Sequence, residues 1–73
     1  MELSNVPLRV LETRIPARWP HAGEQIRDLH RGSELRVLAV DGTWRPRDDT
    51  PLTPGLAVSI VGTREACDDL LLS

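Results

Sequence analysis

The stretch RVLAVDGTWRPRDDTPLTPG, from Arg36 to Gly55, decides how this chain folds. It opens as the second half of an apolar run, ELRVLAV (Glu34 to Val40). Alternation sends Leu35, Val37 and Ala39 to one face and Leu38 and Val40 to the other. Only Arg36 interrupts the second face, which predicts a strand covered on both sides. Asp41-Gly42 is a tight-turn pair, since both residues tolerate the positive φ of a two-residue hairpin loop. Thr43 to Arg47 then reads as the returning strand. Pro46 lacks a backbone donor, so that strand belongs at a sheet edge. Asp48 to Gly55 is a proline-stiffened connection with Leu52 as its apolar anchor.

Outward from this hairpin, the pattern yields four more elements. Leu8 to Ile15 (LRVLETRI) alternates imperfectly and predicts a partly exposed strand, bracketed by Pro7 and Pro16. Pro16 to His21 is a loop, because two prolines in so short a run preclude regular structure. Ala22 to His30 predicts a short helix with Ala22, Ile26 and Leu29 on one face. His30 and Arg31 complement the negative end of its dipole, and Gly32 is placed for a left-handed cap. Leu56 to Gly62 (LAVSIVG) predicts a buried strand. Thr63 caps a last helix through Leu72, with Cys67, Leu70 and Leu71 inward. The order is β-α-β-β-β-α. The fold class is therefore α+β, a small, mostly antiparallel sheet with helices packed on one side.

Bulk composition narrows the function. Seventy-three residues form one small domain, and about 60% of the unfolded chain's surface is buried at this size. Association with another copy is a common remedy for so small a core. The chain has no Phe or Tyr, so aliphatic residues fill the core, helped by Trp19 and Trp44. A net charge of -2 argues against a general nucleic-acid binder. A lone cysteine, Cys67, forms no internal disulfide and suits a reducing, cytoplasmic setting. The opening MELSNVPLRV has no signal-peptide pattern, and no apolar run is long enough for direct membrane insertion.

The ordered segments PHAGEQIRDL (Pro20 to Leu29), ELRVLAVDG (Glu34 to Gly42), PRDDTPLTPG (Pro46 to Gly55) and LAVSIVG (Leu56 to Gly62) resemble the RCK C-terminal family, also called TrkA-C. The likeness runs from about Leu8 to Leu71. Leu56 stands where that family usually carries Asp. The resemblance implies a single RCK C-terminal domain over residues 1–73, whole or excised from a longer transport-related protein. It implies a cytoplasmic regulatory module of a potassium, ion or solute transport system, and a homodimer. It would reach a membrane transport protein or channel pore subunit through the parent chain. It further implies no catalysis, no bound cofactor, and a small anionic effector such as a cyclic dinucleotide.

The candidate effector site is Arg14, Ile15, Arg18, His21 and Gly23. Two guanidiniums there can grip a phosphate, and a helix start offers amides to an anion. Surface arginines beside an ordinary helix start are the plainer reading, since all nine cationic residues are Arg. Trp44, Arg36 and Val40 are the interface candidates, because aromatic and Arg side chains are enriched at protein seams. Asp48 and Asp49 read as turn residues more readily than as an acid pair, because neighbours in extended chain point opposite ways. No histidine pair has metal-ligand spacing, and no nucleophile, base and orienting group fall in credible register. Two alternatives remain open: a purely structural dimerisation module, and an unrelated small α+β adaptor that binds no small molecule.

Overall fold

The computed structural model describes residues 8–73. The elements run β1 (Leu8–Arg14), α1 (Ile26–Gly32), β2 (Arg36–Val40), β3 (Thr43–Trp44), β4 (Ala57–Thr63) and α2 (Arg64–Leu71). The expected β-α-β-β-β-α order is present. The strands form one sheet in the order β1-β4-β2-β3, and every pairing is antiparallel. The fold is therefore a small α+β domain.

The hairpin forms where the sequence puts it. Val40 pairs with Thr43 across Asp41 and Gly42, whose φ angles are 50° and 82°. Two consecutive positive φ values define the turn whose twist suits a two-residue hairpin. The returning strand is shorter than expected and stops at Trp44. Arg45 turns out of the sheet at φ 56°, and its amide donates to the Leu38 carbonyl at 3.2 Å.

That carbonyl belongs to a β-bulge that overturns the simple alternation. Val37 faces Ile60 and Ala39 faces the adjacent Ser59, so Leu38 is an extra residue in β2. The inserted residue reverses the phase. Leu35, Val37 and Val40 join the core, while Ala39 moves to the other face beside Ser59 and Trp44. Val40 is 9% exposed and unavailable as an interface residue.

One core cluster joins the inner face of the sheet to both helices: Val58 and Ile60, Ile26 and Leu29 from α1, and Cys67 and Leu70 from α2. Both helices thus pack on the same side. Burial of a Leu or Ile side chain contributes about 1.5–3 kcal/mol, so this aliphatic set dominates folding. At Gly62 the backbone approaches Leu35 so closely that a Cβ there would lie 2.6 Å from its Cδ2.

Helix boundaries differ from the expectation. Residues 22 and 23 stay in a turn, with Gly23 at φ 88°, and α1 begins at Ile26. Gly32 closes α1 without a left-handed cap. Instead the Ser33 hydroxyl donates to the Leu29 carbonyl and accepts from the Leu35 amide, turning the chain into β2. Thr63 caps α2 as expected, its Oγ1 accepting from the Ala66 amide at 3.2 Å. Leu71, the last residue of α2, does not face inward; it is 54% exposed, and Cys67 and Leu70 alone carry the buried face of the helix.

Candidate functional site

The loop from β1 to α1 holds four of the five sequence-derived effector residues. Ile15 is buried and exchanges backbone bonds with the far side of the connection: its amide donates to the Leu56 carbonyl, and its carbonyl accepts from Gly55. Arg18 is exposed on the turn that Trp19 closes by donating to the Pro16 carbonyl. Trp19 is buried and meets the His21 ring edge-on, with centroids 5.2 Å apart. His21 Nδ1 lies 2.9 Å from Glu24 Oε1.

The amides expected to await an anion are occupied. The Gly23 amide donates to the Leu52 carbonyl at 2.8 Å, Ile26 to Thr50 at 3.0 Å and Arg27 to Asp48 at 3.0 Å. The Asp48 to Leu52 connection therefore lines the start of α1 with its own carbonyls. An orphan amide at a helix start must find some acceptor, and here the chain provides it. Asp48 and Asp49 are the central residues of a turn closed by the Thr50 amide on the Arg47 carbonyl. Asp49 pairs with Arg47 at 3.3 Å in an exposed position. Among the described residues, no three His, Cys, Asp or Glu side chains converge as a metal set.

Arg14 lies elsewhere. Its guanidinium donates to the Gly55 carbonyl at 2.9 Å. It also lines a groove of about 410 Å³ together with Glu12 and Thr13 of β1, Ala39 of β2, the Asp41-Gly42 turn, and Ala57, Val58 and Ser59 of β4. Glu12, Ser59, Ala39 and Trp44 stand in one row across the sheet, so the groove opens on the helix-free face. Small side chains at Ala39, Ala57 and Ser59 make the depression. Glu12, Arg14 and Asp41 charge its wall. Sequence reasoning missed Glu12, Asp41 and Ser59. The alternation of β1 pairs Glu12 with Arg14 on one face, but the β2 bulge that opens the floor carries no sequence signal.

Trp44 is 68% exposed beside this groove. Arg36 is exposed, and its guanidinium donates to the His30 and Leu35 carbonyls at 3.1 and 3.0 Å. His30 is no helix-end cation. The Val37 amide donates to its Nε2 at 3.1 Å, which requires that nitrogen to be unprotonated. Burial, and then the Arg36 charge, lower its pKa, against a smaller opposing pull from Asp48. The Cys67 thiol is buried and its pKa is raised, mainly by burial, which keeps it protonated.

Comparison of the chain with protein-family models, with curated proteins and with solved structures finds no match.

Proposed function

We propose that this chain is a non-catalytic module that dimerises and senses a small effector on behalf of an ion or solute transport system. The observation that carries the reading is the shared position of Glu12 and Arg14. They line the groove and also sit on the edge strand of the sheet. A ligand in the groove would therefore touch the same side chains as a partner at that edge. Effector binding can shift a protein assembly only by favouring one arrangement over another. The transport setting and the anionic class of effector, such as a cyclic dinucleotide, rest on the sequence resemblance to the RCK C-terminal family. Contact with a transporter through the parent chain rests on the same resemblance; among the described residues no helix is long and apolar enough to cross a membrane.

The test is thermal unfolding against cyclic dinucleotides, mononucleotides and divalent ions. A ligand at a hundred times its dissociation constant stabilises by about 2.7 kcal/mol, a readily measured rise in Tm. No shift across the panel overturns the sensing role.

A second reading, a purely structural dimerisation module, has its own support. The amides at the start of α1 are closed by chain carbonyls, and the groove wall holds two carboxylates against one guanidinium. Among the described residues, an anion thus finds no preformed socket in the single chain. Dimerisation with no response to any ligand selects this reading.

A further inference from the structure

The groove on the helix-free face is lined by two carboxylates and one guanidinium, and the sheet register fixes where they stand. Two rows of residues cross it. In the first, Arg14 of β1 pairs with Ala57 of β4, and the Asp41 amide donates to the Ala57 carbonyl at 2.8 Å. In the second, Glu12 pairs with Ser59, which pairs in turn with Ala39. Arg14 and Asp41 therefore face each other across a small floor residue, two strand spacings or about 10 Å apart at the backbone. Glu12 stands on the same wall as Arg14, about 7 Å along the strand. Among the described residues none of the three enters an ion pair. The Gly55 carbonyl holds one nitrogen of the Arg14 guanidinium at 2.9 Å, and the fork has further N–H groups to offer. The groove volume of about 410 Å³ falls in the range of small-molecule sites, roughly 300–1,000 Å³.

We propose that this groove binds a free amino acid with a cationic side chain, such as lysine. The proposal goes beyond the sensing reading above, because it takes the ligand's class from the groove's own charges and not from the resemblance. The α-carboxylate would accept from the Arg14 fork, which suits a carboxylate bidentately. The α-ammonium would donate to Glu12 on the same wall. The side-chain cation would reach Asp41 on the opposite wall. The flexible four-carbon stem of lysine would cross Ala57 and Ser59, whose small side chains leave it room. Charge decides against the neighbouring classes. A cyclic dinucleotide brings two phosphates to one guanidinium and two carboxylates. A diamine would set a cation against Arg14, and an acidic amino acid would set a carboxylate against Asp41. Only a ligand with two cations and one anion matches all three side chains.

Titration of the full chain with L-lysine, followed by amide NMR shifts, tests this. Lysine at millimolar concentration should move the Gly42, Ala57 and Ser59 amides. Exposed ion pairs are weak, so each one lost should raise the dissociation constant about two- to fivefold. Norleucine lacks the side-chain ammonium, cadaverine the α-carboxylate and ε-aminocaproate the α-ammonium. Each should bind more weakly than lysine by that factor, and L-glutamate more weakly still. Asp41→Asn keeps a residue that tolerates the positive φ of the turn. It should weaken lysine and leave norleucine unchanged, since norleucine has no cation to lose there. Glu12→Gln should weaken lysine and leave ε-aminocaproate unchanged. Asp49→Asn removes an exposed carboxylate outside the groove and should change nothing. Circular dichroism checks that each variant is folded. The inference is overturned if tens of millimolar lysine move no groove amide, if glutamate binds as tightly as lysine, or if lysine binds Asp41→Asn and Glu12→Gln undiminished. A cyclic dinucleotide that raises Tm while lysine moves nothing overturns the inference and leaves the sensing reading standing.

Discussion

Single residues in this protein act through what their neighbours leave open. His30 accepts the Val37 amide and carries a lowered pKa, so the folded chain binds its proton less readily than the unfolded chain does. Stability from this group is full above the unfolded value near 6.5, falls as pH drops through that value toward the lower folded pKa, and then levels off. Urea unfolding at pH 7.5 and pH 5 should show the loss. His30→Ala should cost about 1–3 kcal/mol by stranding the Val37 amide and should flatten this part of the pH profile. Gly62 poses the opposite problem. A methyl group there collides with Leu35, so Gly62→Ala should destabilise by about 1–3 kcal/mol in the same assay. The sequence marks His30 only as a helix-end residue. Its acceptor role depends on β2 passing close by, which local pattern does not encode.

The elements depend on one segment without regular structure. The connection from Asp48 to Leu56 bonds to Ile15, Gly23, Glu24, Ile26 and Arg27 through the backbone, and Leu52 is fully buried. It thereby joins β1 to α1. Leu52→Ala should therefore cost about 2–5 kcal/mol, measured by denaturant unfolding, although it alters no helix or strand. Thr63→Ala removes the cap of α2 and should cost about 1 kcal/mol. The Thr63 cap was legible because capping is a local matter of one oxygen and one nearby amide. The start of α1 was not, since Ala22, Glu24 and Gln25 are good helix formers and place the start too early. Backbone bonds from Gly23 and Glu24 to Leu52, and the bridge of Gln25 to Pro51, hold this segment out of the helix instead.

At the scale of the molecule, the sheet has one face covered by helices and one bare. Trp19 lies under the covered face and Trp44 on the bare one, so acrylamide should quench Trp44 fluorescence and spare Trp19. Trp44→Phe should leave only the protected emission. Element order, the Asp41-Gly42 hairpin, the edge position of β3 and most of the core follow from the sequence, since periodicity, turn chemistry and the donor missing from proline are properties of neighbouring residues. The groove, the buried fate of Val40, the closed amides at α1 and the neutral His30 follow from the tertiary structure alone. Each arises where residues far apart in the chain compete for the same space or the same hydrogen bond. The inserted Leu38 makes the point: one residue of slippage against β4 sends Val40 into the core and Ala39 to the groove floor, and only the partner strand sets that register.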